Sequence, residues 1–165
     1  MSSGKSHLTV KKFYQKYRDY ILFNKDIIIS GIFAFFGGAA FTQFYSYLDS
    51  NSFSNSIVTL AIEYCIYLPI FGFLFYSDNK PRYFDPITGE KDFNVIKSDI
   101  KKLITAFTIS EIVFSVSKVL IHYELLSFEL VEPYQASMIA SLSAWAIFLF
   151  VINLSVRSVH LFKSK

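Results

Sequence analysis

The sequence predicts an all-α, polytopic membrane protein with four transmembrane helices, arranged as two repeated hairpins with amphipathic lead-in helices. Of the 165 residues, 53% are hydrophobic and 18% are charged, whereas charged residues make up about 25% of an average soluble domain. The mean hydropathy of the chain is +0.39. The apolar residues are gathered into four runs, each close to the roughly 20 residues with which a helix crosses a bilayer. We therefore expect one membrane domain over residues 1–165.

The four apolar runs divide this domain into segments. Hairpin one (27–77) contains spans at 27–48 and 56–77, and hairpin two (103–156) contains spans at 103–123 and 136–156. The segments outside the hairpins are a leader (1–26), a central loop (78–102) and a tail (157–165). Both hairpins begin on the same side of the membrane, so the predicted repeat is parallel, about an axis along the membrane normal.

Each hairpin is preceded by a segment with the spacing of an amphipathic helix. The apolar residues that share one side are Val10, Phe13, Tyr14, Tyr17 and Ile21 before the first span, and Ile96, Ile100 and Leu103 at the start of the third. Lysines occupy other sides of both segments. This pattern predicts two lead-in helices that lie in the plane of the lipid headgroups.

The distribution of basic residues predicts the orientation. Lysine and arginine outside the spans are concentrated in the leader, the central loop and the tail, whereas the connections at 49–55 and 124–135 contain none. By the positive-inside rule, both termini and the central loop are cytoplasmic in a multi-pass protein of the cell membrane. The net charge of +3 is then explained by orientation and by contact with anionic membrane lipids, so no nucleic-acid partner is expected.

Small residues recur every four positions along two of the spans. They are Ser30, Ala34, Gly38 and Thr42 in the first span, and Ala136, Ala140 and Ala144 in the fourth. Such faces let helix backbones approach closely, so they predict either internal packing seams or contacts in a homo-oligomer. Pro69 in the second span predicts a kink, because proline removes a helix hydrogen bond. Asn153 in the fourth span is expected to bond between helices.

The third span contains a stripe of polar residues at spacings of three and four. Its members are Thr108, Glu111, Ser115, Lys118 and His122. These spacings place them on one helix face, and charged side chains are costly in contact with lipid tails. The stripe must therefore line the bundle interior, a hydrated crevice or a partner subunit.

Two interpretations of this polar intramembrane face remain open. In the first, Lys118 forms an ion pair with Glu63 of the second span, with Gln43 as a neighbour at the same level, while Glu111 is neutral or hydrogen-bonded to Ser115. In the second, the face is a crevice that handles a polar headgroup or a proton, with Glu111 as the titrating group. A contact with a charged residue of another protein is a third alternative. His122 is expected to be an ordinary histidine near the outer membrane surface.

The central loop contains basic residues beside predicted turns. Asp85-Pro86 and Thr88-Gly89 indicate a compact loop. Lys80, Arg82 and Lys91 are candidates for contact with an anionic headgroup, although basic residues beside a membrane also serve orientation and general lipid contact.

The sequence contains no pattern typical of catalysis, metal binding or a bound cofactor. Its single cysteine, Cys65, lies in an apolar run, and its three histidines fall in different regions. The phosphate-binding patterns GxxxxGK[ST] and GxGxxG, the nucleophile pattern GxSxG and the zinc pattern HExxH are all missing. We therefore expect neither an enzyme nor a metal or cofactor site.

Two stretches of the chain resemble the GtrA-like family of small membrane proteins. Basic and aromatic residues lead into IIISG at 27–31, and VINLSVRSVHLF at 151–162 contains an Asn, basic, aromatic exit from the last span. The layout of four helices in two hairpins, with both termini inside, is also similar to that family. The resemblance implies translocation of a polyprenyl-phosphate-linked sugar between leaflets.

Two hypotheses about function follow. The first is a small integral membrane translocator or carrier that handles a polar headgroup, such as that of a polyprenyl-phosphate-linked sugar, through the polar face of the third span. The alternative is a non-catalytic accessory or assembly subunit, docked into a larger membrane complex by its intramembrane charges and small-residue faces. Membrane lipids are the expected contacts in both cases.

Overall fold

The computed structural model describes residues 3–85, 87–129 and 131–162, with side chains from residue 17 onward. This part of the chain forms four long helices, α1 (Ser3–Tyr45), α2 (Ser52–Asn79), α3 (Phe93–Ser127) and α4 (Pro133–Ser158). All four contain stretches long and apolar enough to cross a membrane. A short 3-10 helix (Lys80–Arg82) follows α2, and the described part contains no β-strand beyond an isolated bridge between Phe84 and Lys91.

The lead-in segments are helical, but they are continuous with the spans that follow them. Helix α1 runs unbroken from the leader to Tyr45, and α3 runs from Phe93 through the third span. The expectation of separate lead-in helices was therefore wrong, because neither segment contains a proline or glycine at which the helix could turn. The predicted apolar residues Val10, Phe13 and Tyr14 lie outside the described side chains, as does the tail beyond residue 162.

Local signals explain where the later helices begin. The side chain of Asn51 accepts a hydrogen bond from Ser54 N–H at 2.9 Å, and Asp92 accepts from Asn94 N–H at 3.0 Å. These side chains satisfy backbone donors that have no partner within the first helical turn. Helix α4 begins with Pro133, whose missing N–H is not needed at that position. Helix α2 passes through Pro69 without ending.

The helices pack as two hairpins that close into a four-helix bundle. Within the hairpins, α1 packs against α2 and α3 against α4, while α4 also contacts α1 and α2 contacts α3. We call the end with the connections 46–51 and 128–132 the hairpin end, and the opposite end the central-loop end. Large apolar side chains such as Phe36, Phe73 and Phe150 remain 62–73% exposed on the outside. Such a surface is typical of a protein in contact with lipid.

An aromatic core fills the bundle near its central-loop end. Phe23 of α1 packs edge-on against Phe71, Phe75, Phe107 and Phe162, with ring centroids 5.9–6.3 Å apart. Edge-to-face contacts of this kind add to the stabilisation from burial alone. The core therefore joins α1, α2, α3 and the segment after α4.

The two small-residue faces lie inside the bundle. In α1, Ser30 and Thr42 are fully buried, and in α4 Ala136, Ala140 and Ala144 are fully buried. Small side chains at these positions let neighbouring helix backbones come close. The faces are therefore internal packing seams of this chain.

Candidate functional site: a polar pocket in the helix bundle

A buried ion pair joins α2 and α3 in the half of the bundle nearer the hairpin end. Lys118 Nζ lies 2.5 Å from Glu63 Oε1, and the two side chains are 0% and 6% exposed. Serines of α4 form hydrogen bonds with both partners of the pair. Lys118 also donates to Ser141 Oγ, and Ser141 Oγ donates to Glu63 Oε1 at 3.3 Å. Lys118 Nζ is 3.4 Å from Ser137 Oγ. The structure thus brings together the two charged residues that the sequence analysis paired.

Glycine in α1 makes room for this ion pair. A Cβ atom added at Gly38 would lie 2.1 Å from Glu63 Oε1, far inside van der Waals contact. Sequence reasoning assigned Gly38 to a packing seam and missed its contact with Glu63. The signal was present in the residue type, because glycine is the choice where a side chain would block a close approach.

A second polar cluster lies at the hairpin end. Thr42 donates to Asn55 Oδ1 at 2.7 Å, Thr59 donates to the same oxygen at 3.0 Å, and Thr42 Oγ1 is 3.3 Å from His122 Nε2. His122 is fully buried. His122 lies one helical turn after Lys118 and shares its inward face, where the sequence analysis placed it. It is buried and bonded within the bundle, so it is not the ordinary interfacial histidine that was expected.

Gln43 does not join the ion pair. Its side chain donates to Tyr47 at 3.2 Å and accepts from Tyr134 N–H at 3.3 Å, near the hairpin end. The prediction that placed Gln43 beside Glu63 was wrong, because consecutive helix residues point about 100° apart. Thr42 is the residue that faces inward at this level.

Glu111 and Ser115 are linked through a tyrosine of α2. The Tyr64 hydroxyl donates to Glu111 Oε2 at 2.6 Å and is 2.7 Å from Ser115 Oγ. Glu111 and Ser115 are both partly buried. The direct Glu111–Ser115 bond of the first interpretation is thus replaced by a bridge through Tyr64, a residue that sequence reasoning missed.

Thr108 lies on the outside of α3. It is exposed, and its hydroxyl donates to Ile104 O of the same helix at 2.7 Å. Its assignment to the inward face was wrong, because a helix turns about 100° per residue, so Thr108 lies about 160° around the axis from the buried Ser110. The buried polar residue in this turn is Ser110, which is fully buried.

A pocket lies between the ion pair and the aromatic core. It contains about 450 Å³ of empty space, including its open side, and all four helices contribute to its wall. The polar wall residues are Glu63, Tyr64, Tyr67, Glu111 and Ser141, and further rings come from Phe35, Phe114, Trp145 and Phe148. We call this space the central pocket. A Cβ atom at Gly31 would lie 1.6 Å from the Trp145 ring, so Gly31 lets the indole lie directly against α1.

Two polar atoms of the central-pocket residues have no hydrogen-bond partner within the part of the chain that the structure describes. They are Glu111 Oε1 and the Tyr67 hydroxyl, both of which are buried. None of the ion pairs found between residues 17 and 162 includes Glu111. Buried polar groups in folded proteins are nearly always paired. Glu111 and Tyr67 of the central pocket therefore each keep a hydrogen-bonding capacity that no other described residue uses.

A further polar layer joins the helices at the central-loop end. Asn24 and Asn153 exchange side-chain amide hydrogen bonds of 2.9 and 2.8 Å. Asn153 thus forms the interhelical contact expected of it, here between α1 and α4. Lys25 forms an ion pair with Asp78 and lies 3.3 Å from Asp26, which is fully buried. The sequence analysis began the first span at residue 27, so it did not predict that Asp26 would be buried.

The basic residues of the central loop have different environments. Arg82 forms an ion pair with Asp99 at 3.2 Å and is therefore engaged in the fold. Lys80 and Lys91 are exposed, and each lies 5.9 Å from the Phe84 ring centroid. The loop turns at Asp85, where hydrogen bonds from the backbone N–H groups of Thr88 and Ile87 lower the pKa of its carboxyl group. Pro86, part of the predicted turn, lies outside the described residues.

No group of three or more His, Cys, Asp or Glu side chains that could hold a metal ion occurs in the described part of the chain. No family model, curated protein or solved structure matches this chain. The resemblance to the GtrA-like family therefore stays a prediction.

Proposed function

We propose that this protein is a small, non-enzymatic integral membrane carrier that binds a polar headgroup in the central pocket and moves it between leaflets. The observation that supports the proposal is the pair of unpartnered polar atoms, Glu111 Oε1 and the Tyr67 hydroxyl, in a pocket surrounded by helices apolar enough to cross a membrane.

The cost of these unpartnered atoms favours a binding role. A polar group without a hydrogen bond in an apolar setting costs about 2–7 kcal/mol, depending on the reference state. The ion pair of Glu63 and Lys118 is already surrounded by serines, so it has a sufficient structural role. Glu111 has no charged partner among the described residues, and a ligand in the pocket would supply one or more hydrogen bonds to it.

A sugar attached to a polyprenyl phosphate is one headgroup to which the pocket offers hydrogen bonds. Its hydroxyl groups can donate to Glu111 and accept from Tyr67. In this proposal the membrane is the cell membrane, with both termini and the central loop in the cytoplasm, because the basic residues lie at the central-loop end.

The accessory-subunit alternative depended on charges and small-residue faces that a partner could reach. Lys118 is fully buried, and so are Ala136, Ala140 and Ala144. These features are used within the chain, which favours the carrier.

Extraction of the protein from its native membrane tests the proposal. Styrene–maleic acid particles containing the wild-type chain should be enriched in a lipid with a polar headgroup, identified by mass spectrometry. Glu111→Gln should lose that enrichment because the amide replaces the free carboxylate oxygen. Thr108→Ala is the matched control, since Thr108 is one turn away on α3 and faces outward.

Two results would contradict the carrier. One is an equal lipid content in the wild-type and Glu111→Gln particles. The other is a stoichiometric set of other polypeptides without an enriched lipid, which is the result expected of an accessory subunit.

A further inference from the structure

Resting on the carrier function proposed above, we propose that the group bound in the central pocket is cationic, an ammonium group with alkyl or methyl substituents. The proposal narrows the chemical class of ligand for the pocket. It follows from the charged and aromatic residues that line the pocket and from the unpartnered oxygen of Glu111.

The charged groups on the pocket wall are both carboxylates. Glu63 and Glu111 line the pocket, whereas Lys118 does not. Lys118 is fully buried, with its ammonium group among Glu63, Ser137 and Ser141. Lys118 already offsets the charge of Glu63, so Glu111 is the acid on the pocket wall without a counter-charge among the described residues. Glu111 would repel an anionic group such as phosphate.

Aromatic rings make up much of the remaining pocket wall. Phe35, Phe114, Trp145 and Phe148 line the same pocket as Glu111. The face of an aromatic ring attracts a cation, most strongly for tryptophan, and rings grouped around a site recognise substituted ammonium groups. A neutral polyol would use the hydrogen-bonding groups but gain nothing from this electrostatic attraction.

Tyr64 occupies one of the two oxygens of the Glu111 carboxylate. Its hydroxyl donates to Glu111 Oε2 at 2.6 Å, which leaves Oε1 as the unpartnered oxygen. An ammonium N–H can donate to Oε1, and a methylated ammonium can lie against it by charge alone.

The protein contains its own reporter of pocket occupancy. Trp145 lines the pocket and is the single tryptophan of the chain. The test titrates wild-type protein in phosphatidylglycerol nanodiscs, whose lipid has no ammonium group, with hexyltrimethylammonium, hexyl β-glucoside and hexyl phosphate, which share one alkyl chain. Empty nanodiscs are the blank. Tryptophan fluorescence and titration calorimetry measure the same binding independently.

We expect the ammonium probe to bind saturably, with a Kd about tenfold or more below that of the glucoside or the phosphate. Glu111→Gln should weaken binding of the ammonium probe about tenfold and leave binding of the glucoside little changed. Thr108→Ala should bind all three probes as the wild type does. The comparison of the three probes uses only wild-type protein, so its result does not depend on whether a variant folds.

Several results would overturn the inference. If the glucoside binds best, the ligand is a neutral headgroup and the carrier proposal stands without the positive charge. If the phosphate binds best, or if Glu111→Gln binds the ammonium as tightly as the wild type does, the assignment of the charge to Glu111 is wrong. If no probe binds and no lipid is enriched in the extraction experiment, both proposals fail.

Discussion

At the scale of single residues, the buried ion pair of Glu63 and Lys118 has the largest energetic consequences. Taking two charges out of water is costly, and the attraction between them offsets that cost only when good geometry and further hydrogen bonds are present. Ser141 bonds to both partners. A single uncompensated charge in the same place would retain the cost and lose the attraction.

Replacing Lys118 with methionine should therefore destabilise the protein by about 3–5 kcal/mol, because it leaves Glu63 buried and unpaired. The double variant Lys118→Met with Glu63→Gln should recover most of that loss. Unfolding in detergent micelles, followed by circular dichroism, measures both.

Lys97→Met is the matched control for this prediction, since Lys97 is an exposed lysine of the same helix. It should unfold like the wild type. A single Lys118→Met variant as stable as the wild type would show that the pair contributes nothing to the fold.

At the scale of helices, the close approach of α1 and α2 depends on the absence of a side chain. Gly38 lies against Glu63, and Gly37 lies against Ile66, where an added Cβ would be 2.3 Å from Ile66 Cδ1. Glycine in a helix interior costs about 1 kcal/mol relative to alanine. Glycine occurs here despite that cost, because the two helices could not otherwise pack with Glu63 between them.

Gly38→Ala should lower the free energy of unfolding by about 1–3 kcal/mol, the usual effect of overpacking an interior. Gly72→Ala is the control, because nothing lies within 4 Å of a Cβ added there. It should be neutral or slightly stabilising, since alanine favours the helix. Thermal unfolding of both variants measures the difference, and equal effects would contradict a specific contact at Gly38.

The extent of each helix also belongs to this scale. The apolar runs predicted four helices in the right order, since run length is a local property of the chain. They did not predict that α1 and α3 would begin in the lead-in segments. The amphipathic spacing of those segments is compatible with a helix in any orientation, and the unbroken backbone joins them to the spans.

At the scale of the whole molecule, the proposed orientation makes opposite ends of the bundle accessible from opposite sides of the membrane. The hairpin-end connections contain no basic residue, whereas the central loop contains several. Both regions include exposed positions, such as Ser50 and Thr88.

Single cysteines introduced at Ser50 and Thr88, in a chain with Cys65→Ser, should differ in labelling by a membrane-impermeant maleimide. Ser50→Cys should react in intact cells, and Thr88→Cys should react only after the cells are permeabilised. The reverse pattern would contradict the proposed orientation, and labelling of both sites in intact cells would contradict insertion of the bundle as proposed.

By itself, the sequence determined that the chain forms four long helices, that polar residues share a face of α3 and that Glu63 and Lys118 lie at matching levels. These features depend on run length and on spacing along one helix. Tertiary structure alone decided which groups meet across helices. Thr42 rather than Gln43 faces inward, Tyr64 binds Glu111, and Thr108 faces outward, because each outcome depends on how one helix is rotated against its neighbours. A central pocket with a free carboxylate oxygen is the product of those rotations.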